Sequence, residues 1–132
     1  MNLDIASLLD DPSATIALVG ATENPSKYGS VIFRDLTRKG YAVYPVNPGR
    51  TSVHGHAAYP DLASLPAPPT IVNIVVPPDV TLKILSDAEA LGIRNIWLQP
   101  GAESPAVMER LTSGPFEYLA LACIMVQTRS MA

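Results

Sequence analysis

Apolar residues fall along the chain in short runs, and stretches with apolar positions at helical spacing stand between them. Thr15-Ile16-Ala17-Leu18-Val19-Gly20 predicts a first strand, residues 41–46 a second, 70–76 a third, 95–98 a fourth and 118–122 a fifth. The first and third are almost continuously apolar, whereas a strand with one wet face alternates. A run of that kind needs burial on both faces, the condition met in a parallel sheet covered by helices.

The helical signals fit the gaps. Residues 30–39 place Val31, Ile32 and Leu36 on one side and stop at Gly40, a residue suited to the position just past a helix end. Pro78-Asp79 opens a segment with Val80, Ile84, Ala88 and Leu91 at helical spacing, closed by Gly92. Ser104 as N-cap and Pro105 as the first helical residue begin a third helix through Leu111, with Gly114-Pro115 beyond it. Residues 3–9 read as a short amphipathic helix at the edge, and 49–69 as mostly loop with one helical turn near 61–65. Without repeats or an interdomain linker, residues 1–132 form one expected domain. Strand–helix alternation with right-handed crossovers predicts an α/β, Rossmann-like, doubly wound parallel sheet of five strands in three layers, ordered 3-2-1-4-5.

Composition narrows the function. Hydrophobic residues make up 48% and charged residues 16% of 132, which excludes the disordered class. The formal net charge of −3 provides no global attraction for nucleic acid or an anionic membrane, so neither is expected as a partner. Any anionic ligand must be held locally. One cysteine suits a reducing compartment, and no run is long enough for a membrane span or a leader, so the expected location is cytoplasmic.

In an open parallel sheet, ligands sit beyond the C-terminal strand ends near the switch in strand order. Four segments arrive there: 20–30, 46–50, 76–78 and 99–102. Each joins Gly or Pro to polar groups after a buried strand. In the first, Gly20 lets backbone come close, Thr22, Ser26 and Ser30 offer hydroxyls, and Lys27 offers a charge at a helix start, so a phosphate fits. The bland alternative makes Gly20 a simple turn and Ser30 the helix cap. The dinucleotide fingerprint is absent: the glycine spacing is wrong, and the second strand ends in Pro45-Val46-Asn47-Pro48 with no carboxylate. Arg50 better suits a phosphate near a ribose.

Five motifs in register carry a resemblance: Ile16-Ala17-Leu18-Val19-Gly20-Ala21-Thr22, Gly40-Tyr41-Ala42-Val43-Tyr44-Pro45-Val46-Asn47-Pro48, Val75-Val76-Pro77-Pro78, Trp97-Leu98-Gln99-Pro100-Gly101-Ala102 and Cys123-Ile124-Met125-Val126. Together they resemble small stand-alone CoA-binding proteins, whose domain is similar to the N-terminal CoA-binding domain of the succinyl-CoA synthetase α subunit. The resemblance implies coenzyme A or acyl-CoA as ligand. It implies a phosphate-binding turn over Gly20, Ala21, Thr22 and Glu23, a basic residue after the second strand at Arg50, and contacts at Leu98, Gln99 and Pro100. It also implies Val76 and Pro77 as the apolar rest between them. With Lys27, Tyr28, Ser30, Asn47, Pro48 and Gly101 from the same loops, these make up the expected cofactor site. The synthetase's phosphorylated histidine lies in a later domain without a counterpart here, so ligase activity is not implied.

The remaining candidates read plainly. His54 and His56 are two ligands at most, too few for a metal, and read as solvated loop histidines. Cys123 follows the fifth strand and reads as a small buried hydrophobe, with the ligand edge as its alternative. Asn73 is expected to satisfy a neighbouring loop and Trp97 to be core. Asp10, Asp11, Asp61 and Asp79 read as caps or turn residues, and there is no paired carboxylate or nucleophile elbow. The expected function is a non-catalytic CoA carrier, sensor or regulatory module. Its rivals are a CoA-binding component of a split acyl-CoA synthetase, with a protein partner the sequence does not identify, and a redox-sensing dinucleotide binder.

Overall fold

The computed structural model describes residues 5–128, so Leu3, the start of the first expected helix, lies outside the described residues. The chain runs through a 3₁₀ helix at Ile5–Asp10, β1 (Thr15–Val19), α1 (Tyr28–Arg38), β2 (Ala42–Val46) and a hairpin of β3 (Ser52–Val53) and β4 (His56–Ala57). A 3₁₀ turn at Leu62–Ser64 leads to β5 (Ile71–Ile74), α2 (Pro78–Ala90), β6 (Asn95–Leu98), α3 (Pro105–Ser113), β7 (Glu117–Leu119) and α4 (Ile124–Gln127). Asp61 and Ser104 cap as expected, accepting the N–H groups of Ser64 and Val107. Among the described residues no helix is long and apolar enough to cross a membrane.

The main sheet is parallel, with five strands in three layers. Ile16 and Leu18 face α1, α4 and the N-terminal 3₁₀ helix, where Ile32, Phe33, Leu36, Trp97 and Ile124 complete one core. Ala17 and Val19 face the other way, against Ile84, Leu85, Val107 and Leu111 of α2 and α3. Two buried faces explain why β1 and β5 are apolar without alternation.

The order differs from the expected 3-2-1-4-5. It is β2-β1-β5-β6-β7, so the third long strand, β5, pairs with β1 instead of lying outside β2. Pro45 supplies the physical reason. It has no N–H to donate, which suits an edge strand, and β2 is the edge. The outer side of β2 takes only a stretch of loop: Tyr59 N–H donates to the Pro45 carbonyl and Asn47 N–H to the Tyr59 carbonyl. By contrast every residue of β5 is buried, as a central strand requires.

Two elements were not expected. The hairpin turns at His54-Gly55, with φ of 48° and 82° as a two-residue turn of the primed type needs. Its strands are too short to show a period. The four-residue α4 is likewise too short to show one, and it is held from outside: Lys39 Nζ donates to the Met125 carbonyl at 2.6 Å and pairs with Asp35 at 2.7 Å.

Candidate functional site

The observed order puts the topological switch between β1 and β5, because α1 leaves toward one face of the sheet and α2 toward the other. A cleft of about 310 Å³ opens there, lined by Gly20, Thr22, Asn24, Lys27, Tyr28, Gly29, Arg50 and the turn Val75, Val76 and Pro77. Two helix starts meet at it. Lys27 precedes α1 and Pro77 precedes α2, and neither helix has a side-chain cap. Uncapped first turns leave N–H groups open and present the positive end of the helix dipole, so the cleft is prepared for an anion.

The glycines set its depth. Gly20 has φ of +103°, and a Cβ there would stand 2.8 Å from Val75 Cγ1 and 3.0 Å from Val76 Cγ1. A Cβ on Gly29 would come within 2.0 Å of the Gly20 carbonyl oxygen. The helix start is therefore pressed onto the turn after β1 as only glycine allows. Gly29 was not among the expected site residues. Its nine-residue distance from Gly20 matches no fingerprint, and only the packing reveals it.

The expected site residues divide. Gly20, Thr22, Lys27, Tyr28, Arg50, Val76 and Pro77 line the cleft together. Ala21 is buried in the core beneath, and its carbonyl accepts from Asn47 Nδ2 at 2.8 Å. Asn47 Oδ1 accepts the Gly49 N–H at 2.9 Å, so both ends of this amide brace the loop after β2. Pro48 is exposed outside the cleft. Ser30 is the third residue of α1, not its cap, and its hydroxyl bonds to His54 Nε2 at 2.9 Å.

The loop after β6 is one strand further away. Gln99 is fully buried; its Oε1 accepts the Ile124 N–H at 2.8 Å and Asn73 Nδ2 at 3.3 Å. Its Nε2 donates to Cys123 Sγ at 3.5 Å. Pro100 and Gly101 are exposed, and Gly101 N–H is taken by Glu103. Trp97 is core, as expected, with its indole N–H on the Ala122 carbonyl. Asn73 does serve a neighbour, donating to the Trp97 carbonyl at 3.3 Å as well.

Cys123 departs from the expected buried hydrophobe. It is half-buried, and its Sγ lies 3.4 Å from the Tyr28 hydroxyl at the cleft wall. Burial opposes its ionisation, but bonds from Tyr28, Gln99 and the Met125 and Val126 N–H groups outweigh that and hold the thiol below its ordinary pKa. Tyr28 is pushed up, first by the shared bond and then by burial. Of the two histidines expected to be solvated, His56 is exposed and His54 is not. His54 is half-buried and stacks on Phe33 at 5.9 Å, while His56 meets the same ring edge-on at 5.1 Å. Among the described residues no three His, Cys, Asp or Glu side chains gather as metal ligands would.

A parallel sheet with a glycine-lined, cation-flanked cleft at its switch point defines a Rossmann-like ligand-binding domain. The chain matches the CoA binding domain family over residues 14–129 and belongs to that family. A curated relative is the α subunit of the ADP-forming acetate–CoA ligase II of Pyrococcus furiosus, 32% identical over 82 residues. That match covers 61% of this chain and 18% of the subunit, so the chain spans under a fifth of this relative. Among solved structures, a conserved hypothetical protein of the same organism has a TM-score of 0.84 at 42% identity, covering 87% of this chain and 99% of that one. The dinucleotide-forming acetyl-coenzyme A synthetase 1 of Ca. Korarchaeum cryptofilum, solved with phosphate and ADP, has a TM-score of 0.67 at 29% identity. It covers 81% of this chain and 25% of that one.

Proposed function

We propose that the chain binds coenzyme A or an acyl-CoA with the pyrophosphate in the β1–β5 cleft. One observation carries the reading: Lys27 and Arg50 flank a cleft where two uncapped helices begin and where Gly20 and Gly29 let the start of α1 press onto the turn after β1. Tyr28 and the Val75–Val76–Pro77 turn give the apolar walls against which the rest of the ligand lies. The cleft holds the diphosphate end, and the longer arm runs along the surface. A hundredfold excess of ligand over Kd adds ~2.7 kcal/mol to stability. A thermal-shift panel of CoA, acetyl-CoA, NADH, NADPH and ATP therefore tests the reading. A shift with CoA or acetyl-CoA that the others do not match supports it; equal shifts with NADH overturn it.

The chain acts as a carrier, sensor or regulatory module and performs no bond-making step by itself. The carboxylate and the thiol near the cleft are committed to neighbours: Glu23 to Arg50 and the His54 N–H, and Cys123 to Tyr28 and Gln99. ATP-dependent thioester formation or thioester hydrolysis by the purified chain would contradict this. A second reading has its own support in the ligase and synthetase relatives, of which the chain spans 18% and 25%. In it, the chain is the CoA-binding component of a split acyl-CoA synthetase. That reading needs a co-purifying partner that confers turnover.

A further inference from the structure

The two cations at the cleft are not equivalent. Among the described residues the Lys27 ammonium has no hydrogen-bond or ion-pair partner, its bonds being made by the backbone alone. Arg50 Nη1 stands 3.5 Å from Glu23 Oε1, with the two side chains 37% and 44% exposed. The other Glu23 oxygen accepts the His54 N–H at 3.0 Å. His54 is itself fixed to α1, by the 2.9 Å bond to Ser30 and the stack on Phe33. So Glu23 is a carboxylate on a firm mount, in the loop after β1, reaching one of the two charges that an anionic ligand would use. A negative charge beside an anion cleft weakens binding unless it has another use.

We infer that Glu23 is a specificity-determining latch, which holds Arg50 in the free protein and yields it to a phosphate group of the ligand. This rests on the coenzyme A reading and names the residue that sets its selectivity. A phosphate monoester carries about −1.5 to −2 near neutral pH against −1 for a carboxylate. It also offers a guanidinium two oxygens at once, whereas Glu23 has one of its two taken by the His54 backbone N–H. The monoester therefore displaces Glu23 from Arg50, and a ligand without it does not. The 3.5 Å separation, long for an ion pair, makes the exchange easy in both directions.

Titration calorimetry with CoA, 3′-dephospho-CoA and inorganic pyrophosphate tests the latch. Glu23→Gln keeps an oxygen for the His54 N–H but loses the charge, and it should tighten CoA about two- to fivefold, the range of a partly exposed pair. Glu23→Asp keeps the charge but falls a methylene short of Arg50, and it should tighten CoA as well. In an Arg50→Ala background Glu23→Gln should change nothing. Three results would overturn the latch: unchanged affinity in Glu23→Gln, equal tightening with and without Arg50, or tightening with Gln but not Asp, which is plain charge repulsion. If the wild type binds no CoA, the coenzyme reading fails separately. The latch is then read without ligand, as faster water exchange of the Arg50 guanidinium protons in Glu23→Asp by NMR. Equal exchange in both proteins would overturn it.

Discussion

The connections after β1 and β5 and those after β6 and β7 have similar compositions and opposite fates. Both pairs leave the same edge of the sheet with Gly, Pro and polar groups, from strands that are buried apart from the half-buried β7. After β1 and β5 the loops border open space flanked by Lys27 and by Arg50 from the loop after β2, and the helix starts are uncapped. After β6 and β7 the polar groups are used up: Gln99 serves Ile124, Asn73 and Cys123, and the Trp97 indole serves Ala122. Loop chemistry alone therefore does not make a ligand site; strand order decides which loops face a gap and which face each other. Tyr28 links the two regions, a cleft wall bonded to the closed network through Cys123.

The contrast breaks most severely at Gly29. Gly29→Ala places a methyl 2.0 Å from the Gly20 oxygen, and the helix start must move. Denaturant unfolding should show a loss of about 3 kcal/mol. A loss under about 0.5 kcal/mol, the size of a neutral surface change, would mean that the close approach is not a packing constraint. On the other side, Gln99→Leu leaves the buried Ile124 N–H unpaired and should cost about 2 kcal/mol of stability. The folded fraction should bind CoA with unchanged affinity. A large affinity loss in calorimetry would move Gln99 from the scaffold into the site.

Smaller effects sharpen the open side. If Arg50 reads the 3′-phosphate, Arg50→Ala should weaken CoA about tenfold, ~1.5 kcal/mol, the low end for a charge-assisted bond because the side chain is partly exposed. It should leave 3′-dephospho-CoA nearly unchanged. If instead Lys27→Ala erases the discrimination, the free lysine is the reader. Tyr28→Phe should produce the smallest change. The Cys123 thiol lies below its ordinary pKa in part through Tyr28, so losing that bond raises it and lowers the thiolate fraction at a given pH. Iodoacetamide labelling should slow near neutral pH, with its rate profile displaced to higher pH. An unmoved profile would mean that the phenol does not support the thiolate.

Much of this was legible in the sequence. The continuous apolar runs at β1 and β5, the Ser104-Pro105 helix start and the Gly40 and Gly92 stops follow from local rules, and they specified the layers. The strand order was misread because local periodicity carries no adjacency, although Pro45 in β2 was a sign of an edge. That misreading bore directly on the site. With the fourth long strand beside the first, Gln99, Pro100 and Gly101 would adjoin Gly20; with β5 there, Val76 and Pro77 do. The Glu23–Arg50–His54 contacts are products of packing across 27 and 31 residues, which no window along the chain contains, and Gly29 meets Gly20 only through the turn that folds the helix start back.

The central claim is that the ligand enters between β1 and β5, and backbone amide shifts on CoA titration test it most directly. The account predicts the largest ¹⁵N–¹H changes at Gly20, Thr22, Gly29 and Val76, with Gln99 and Gly101 nearly still. Largest changes at Gln99 and Gly101, or around the roughly 530 Å³ hollow at the opposite sheet edge lined by Thr70, Gly92 and Asn95, would contradict it.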